Sequence, residues 1–284
     1  MSVNEKCLLF DSFVGSVLNY NASVWGYHDA KHVEQIQNKF LRKVLKVKKS
    51  TNLEGMYGEI NRYPLKITRK LIMIKYWLSL MKTKNSLLIN IYQMLAVDAN
   101  RGLSYSGLNW AYHIKLSLEE IGLGYVWNLQ NYTNYDVIKQ RILDIYKQNW
   151  YFNINNSSRL SQYSLFKHDF KMEKYLTCNL DTKYVTILTK FRLYSNNLNI
   201  ETGRYDNTDR NSRHCRQCNM GMIEDQYHFL LVCPKYRHLR QRFFKPYYCK
   251  WPTVEKFSSL MSSVSPKTIN KIARFLFHAF KDRI

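Results

Sequence analysis

Four residues near the end of this chain have the types and spacing of a metal site. Cys215-Arg216-Gln217-Cys218 is followed after nine residues by His228 and after four more by Cys233. A Cys-X-X-Cys turn offers two thiolates to one ion, and a His and a Cys a turn apart can close the tetrahedron. Zinc is the expected ion. The stretch has too few apolar residues to fold unaided, and a bound ion supplies the missing free energy. All four coordination positions would be filled by protein, so the site is expected to be structural, without a place for a reactive water. Gly221 lets the chain reverse between the two halves, and Glu224 and Asp225 precede an apolar run, Phe229-Leu230-Leu231-Val232, where a short helix can begin. His214 and His238 are competing ligands ranked below His228. A redox Cys-X-X-Cys needs a strand-then-helix context, whereas polar residues 204–213 precede this one.

Cations crowd the same stretch. Arg213, Arg216, Arg237 and Arg240 are the candidate phosphate contacts, with Arg204, Arg210, Lys235, Arg242 and Lys245 nearby and Tyr227, Tyr236, Tyr247 and Trp251 among them. Guanidiniums for phosphates and flat rings for bases suit RNA or single-stranded DNA. The whole chain agrees: 43 Lys and Arg face 21 Asp and Glu, a formal net charge of +22 over 284 residues. A polyanionic partner relieves that self-repulsion. No apolar run is long enough to span a bilayer, and residues 1–6 offer no secretory signal. The expectation is therefore a nuclear or cytoplasmic protein without a membrane or small-molecule partner, in which clustered cysteines are ligands rather than disulfides. No two aspartates are adjacent anywhere in the chain, and no short acidic constellation suggests an enzyme.

The elements that position these groups read as helices. With 10 Gly and 5 Pro, the chain has few of the tight turns that many-stranded sheets need. Phe10, Phe13, Val14, Val17 and Leu18 have the spacing of one apolar helical face. Val33, Ile36, Phe40, Val44 and Val47 form a stripe with Lys39, Arg42, Lys43 and Lys46 beside and opposite it. Residues 64–83 predict a buried helix opened by Pro64, and 86–99 and 109–122 predict two more. Thr133 to Asp136 predicts the start of a helix running to about Phe152, with a polar linker over 153–158. A helix over 182–195 and a last one from Ser265-Pro266, with Ile269, Ile272, Leu276 and Phe280 on one face, complete the reading. The predicted class is mostly α: a long helical region, a small CCHC zinc knuckle, and a C-terminal helix.

Residues 215–218 together with the run from Glu224 to Tyr236 resemble the C-terminal zinc motif of reverse transcriptases of non-LTR (LINE-type) retrotransposons. Residues 191–195 and 200–205 are similar to the stretch before that motif. Residues 10–14, 18–20 and 23–26 are similar to the thumb that follows the polymerase palm, and 277–283 to the usual end of such chains. The resemblance implies a thumb-like segment over 1–60, a helical linker region over 61–200, a knuckle region over 201–250 and a C-terminal helix over 251–284. It implies the non-catalytic part that grips RNA or DNA, with an upstream palm as a further partner. The palm's aromatic-X-Asp-Asp turn, which holds the catalytic metals, is absent from this sequence. The alternative is a zinc-knuckle protein-interaction module, retained by a host.

Overall fold

Few glycines and few prolines leave few tight turns, and the chain folds as helices. In a computed structural model, which describes residues 1–130 and 133–283, the protein is 64% helical and 1% strand. Among the described residues no helix is long and apolar enough to cross a membrane. The chain divides into two units: Met1–Lys6, Lys39–Arg62 and Tyr151–Ile284 form one, Cys7–Asn38 and Tyr63–Trp150 the other. The cysteine–histidine stretch and the last helix both belong to the first.

The second unit is built around tryptophans. Trp77, on helix Leu65–Leu80, is fully buried with Met73, Ile74, Ile114, Leu118, Trp127 and Ile138. Its indole N–H donates to the Tyr92 hydroxyl at 2.9 Å, which donates to Gln130 at 2.5 Å, so a buried polar edge stays satisfied. Asparagines start the neighbouring helices. The Asn85 side chain accepts from the Leu87 and Leu88 N–H groups ahead of Ser86–Asn100, and Asn109 accepts from Tyr112 N–H ahead of Trp110–Glu119. Pro64 precedes Leu65–Leu80 as predicted, but Glu34 satisfies its first donors. One carboxylate accepts from the Leu65 and Lys66 N–H groups and pairs with buried Arg69 at 3.0 Å.

The first unit holds the candidate site. Helix Thr182–Arg192 packs on helix Pro266–Lys281, which also packs on Arg237–Phe243. Ile269, Ile272 and Leu276 of the last helix are buried as predicted, and Phe280 stacks on Phe229 with ring centroids 4.7 Å apart. Phe229 also meets Phe191 at 5.9 Å and Tyr236 at 4.8 Å. Arg192, buried, spans two carboxylates, Glu59 at 3.1 Å and Glu173 at 2.9 Å, and Lys167 pairs with Glu173 at 2.6 Å.

Three expectations are corrected. Near the N-terminus Phe10 is buried, but Phe13 and Val17 are 72% and 73% exposed. Residues Phe10–Gly15 form a π-helix between Val3–Leu9 and Ser16–Leu18, and its wider turn breaks the 3.6-residue spacing on which one continuous face depends. In helix Lys31–Leu45 the buried positions are Gln37, Asn38, Leu41 and Leu45, while Ile36 is exposed. Polar Gln37 is taken inward because its amide donates to the Tyr63 carbonyl at 3.1 Å. Residues 153–156 are the last turn of helix Tyr135–Asn156, not a linker. Asn156 bonds back to the Phe152 carbonyl at 2.9 Å, so a polar composition alone does not end a helix there.

Candidate metal centre

Two pieces of backbone bring the ligands together. The first is a tight hairpin. His214 and Ile223 form an antiparallel bridge, and Cys215 N–H donates to the Met222 carbonyl at 2.8 Å and Glu224 N–H to that of Arg213 at 2.9 Å. Between them Gly221 sits at φ +63° with open space where a Cβ would be, so its role is the left-handed backbone of the reversal. Within the turn Gln217 N–H points at the Cys215 sulfur, 3.4 Å away.

The second piece is a π-helical turn, His228–Val232. On an α-helix two positions five apart lie about 140° around the axis from each other, so His228 and Cys233 would diverge. Here Cys233 N–H reaches the His228 carbonyl, five residues back, at 2.7 Å, and the wider turn puts both side chains toward the hairpin. Asp225 starts the turn by accepting from His228 N–H at 2.8 Å. Phe229, Leu230 and Leu231 anchor it in the core. Gln226, also buried, donates from its amide to the Phe191 carbonyl.

The result is a cluster in which one ligand atom from each of Cys215, Cys218, His228 and Cys233 lies within 4.8 Å of the others. The Cys215 and Cys233 sulfurs are 4.0 Å apart, and the Cys218 sulfur is 3.4 Å from His228 Nε2. A zinc–sulfur bond of about 2.3 Å makes the edge of a regular tetrahedron about 3.8 Å. The observed separations fit a four-coordinate ion of that size. Three sulfurs and an imidazole exclude the oxygen-seeking Mg²⁺ and Ca²⁺ and suit a borderline-soft metal. Neither competing histidine joins the cluster: His214 is exposed, and His238 pairs with Asp282 at 3.7 Å.

The electrostatics are those of a buried acceptor set. Burial pushes the Cys215 thiol well up and the Glu224 carboxylate adds to this, while the Gln217 N–H acts the other way. Burial raises Cys233 as well. Burial lowers the His228 pKa, keeping the imidazole in the neutral form that ligates. Cys215 and Cys233 would have to give up their protons to hold a metal, whose positive charge would then offset the thiolates.

Glu224 has no exposed surface, although its sequence position suggests only a helix-start acid. It accepts from Asn199 N–H at 2.8 Å and sits 3.7 Å from the Cys215 sulfur. Arg283 holds both of its oxygens, with Nη2 at 2.8 Å from Oε2. The signal available in sequence was only an acidic residue before an apolar run.

The four candidate phosphate contacts separate into two pairs. Arg216 and Arg237 are exposed. Arg240 is buried and donates to the Val232 and Cys233 carbonyls, at 3.4 and 2.5 Å. Arg213 donates to the Thr208 and Ile200 carbonyls at 2.8 to 3.0 Å. Both hold the knuckle backbone in place of a phosphate, because orphan carbonyls in tight turns need donors. Among the interleaved rings Tyr236 is buried, and Tyr247 and Trp251 are exposed at 62% and 78%.

Comparison of the chain with models of known protein families, with curated proteins and with solved structures finds no match in any of the three.

Proposed function

We propose that this chain is the non-catalytic, nucleic-acid-binding C-terminal part of a reverse transcriptase of the non-LTR retrotransposon kind, with its knuckle held by one structural zinc ion. The observation that carries this reading is the convergence of Cys215, Cys218, His228 and Cys233 on one point within a strongly basic chain. The ligand spacing and the motif around it are those that resemble the retrotransposon enzymes. Exposed Arg216, Arg237, Arg242 and Lys245 and exposed Tyr247 and Trp251, all within residues 216–251, supply cations for phosphates and rings for bases. RNA or single-stranded DNA is the partner, and the reading adds an upstream palm. The chain by itself is not expected to extend a primer, since it lacks the paired aspartates that hold catalytic metals.

Two measurements on the purified chain test the proposal: its metal content, and its affinity for a single strand as salt is raised. About one zinc per chain and steeply salt-dependent binding support it. A second reading, a protein-interaction module, is favoured by helix Ser86–Asn100, where Leu87, Ile91 and Met94 are 65%, 47% and 71% exposed. Strand binding that is absent, or that does not weaken with salt, favours that reading.

A further inference from the structure

Beside the knuckle, within the same unit, lies a cleft of about 300 Å³ whose lining includes Arg159, Arg204, Arg210, Arg213, Glu201 and Asp225. Four guanidiniums therefore face two carboxylates. Glu201 is shared between Arg159 at 3.2 Å and Arg204 at 3.6 Å. Asp225 is taken up by amides, from Gln162 at 2.5 Å and His228 N–H at 2.8 Å. Arg213 brings charge, but its hydrogen bonds are spent on carbonyls. Arg210 is exposed and steadied by the Ser158 carbonyl and the Ser161 hydroxyl, each at 2.9 Å. Arg204 is 38% exposed in its side chain, and among the described residues its ion pair is the 3.6 Å contact with Glu201. Arg159 gives Nη1 to the Ser50 carbonyl and Nη2 to Glu201, and its buried Nε has no hydrogen-bond partner among the described residues. The cleft thus has excess positive charge, guanidinium groups still open to an anion, and walls that focus the field.

We propose that this cleft seats a phosphate group of a nucleotide or of a nucleic-acid strand, with Arg204 and Arg210 as its principal contacts. A guanidinium fork matches phosphate oxygens, and a charge-assisted bond here would relieve the unbalanced arginines. The volume is at the small end for ligand sites and suits a phosphate with its sugar. No residue assigned to the metal is used. The strand source rests on the nucleic-acid reading above; the nucleotide source does not.

The test uses the full metal-loaded chain and two probes, adenosine monophosphate and a fluorescein-labelled ten-nucleotide oligo-dT. Three proteins are compared: the native chain, Arg204→Gln/Arg210→Gln, and a charge-matched control, Lys267→Gln/Lys271→Gln, on the exposed side of the last helix. Metal content and helical circular dichroism check that each is folded. The cleft variant is expected to bind at least one probe about tenfold more weakly than the native chain, as expected for losing charge-assisted contacts. If the strand is the ligand, its log–log salt slope also becomes shallower by about 0.7, the share of one phosphate. The control stays within about twofold of native. Loss confined to the strand identifies the polymer backbone as the source, and loss confined to the monophosphate identifies a free nucleotide. Native strand binding that the cleft variant retains as well as the control, with no loss of the monophosphate, overturns the cleft and leaves the nucleic-acid reading standing. Monophosphate binding that depends on the arginines, without strand binding, does the reverse. Binding of neither probe by the native chain overturns both.

Discussion

Arg283 and Glu224, 59 positions apart in the sequence, form a two-pronged ion pair at the back of the candidate metal centre. The carboxylate has no solvent exposure, and its Oε1 lies 3.7 Å from the Cys215 sulfur. The turn after the last helix is thus tied through one buried anion to a metal-ligand candidate. A guanidinium placed there offsets negative charge that would otherwise accumulate on sulfur and carboxylate together.

Removing the cation leaves that carboxylate buried without its charged partner. Arg283→Ala is expected to lower unfolding stability by about 3 kcal/mol, the cost of breaking a buried pair, read as a lower urea midpoint. Glu224→Gln weakens the anchor that joins Asn199 N–H and Arg283 to the hairpin carrying Cys215, and is expected to loosen the site and weaken metal binding by about tenfold in a chelator competition. Unchanged metal affinity in a folded Glu224→Gln protein would show that the contact with Cys215 is incidental.

Metal removal is expected to act locally. Chelation should disorder the knuckle, around residues 210–245, while the tryptophan-centred unit retains its helices, because that unit's core includes none of the four ligands. Cys218→Ser should release the ion. Hydrogen exchange with and without chelator locates the change. Uniform loss of protection over the whole chain is the contrary result.

Phe229, on the ligand turn itself, is fully buried against Phe191, Tyr236 and, on the last helix, Phe280. Phe229→Ala is expected to cost about 3–5 kcal/mol through transfer and cavity terms. It should also weaken metal binding, since the ring anchors the turn that carries His228 and Cys233. Denaturant unfolding and chelator competition check the two effects separately.

Acid should weaken the first unit through Glu173. Burial pushes its carboxyl up, but Arg192 and Lys167 outweigh burial and hold the pKa below the ordinary carboxylate value. A depressed carboxylate contributes stability above its unfolded pKa, about 4.3. That contribution is lost as pH falls through the lower folded value. Stability should therefore hold from pH 7 to about pH 5 and decline below about pH 4. Glu173→Gln should flatten part of that decline. Urea midpoints across this range provide the check, and equal acid sensitivity in both proteins would remove Glu173 from the account.

Strand binding should fall with salt at a log–log slope on the order of −3 to −4 if about five phosphates are neutralised. Arg216→Gln/Arg237→Gln is expected to make the slope shallower by about 1.4, with stability unchanged, because both side chains are exposed. Arg213→Gln and Arg240→Gln are expected instead to destabilise the knuckle, because their guanidiniums satisfy backbone carbonyls. Fluorescence anisotropy and thermal denaturation separate the two pairs.

By itself the sequence determined the helical class, the placement of the last helix and the identity of the four donors. These depend on local quantities: few turn formers, a 3.6-residue period from Ile269 onward, and a spacing of cysteines and histidine over 19 consecutive residues, 215 to 233. Tertiary structure alone decided what each cation does. Arg216 and Arg240 look equivalent in a list of basic residues. One faces solvent, and the other is buried under the Cys233 carbonyl. The π-turns at Phe10–Gly15 and His228–Val232 likewise carry no composition signal, yet one exposes Phe13 and the other aligns two ligands. Glu224 and Arg283, or Arg159 and Glu201, meet only when distant segments pack. Burial and partnership of charges are properties of the packed chain, because the field around each group comes from atoms far away in sequence.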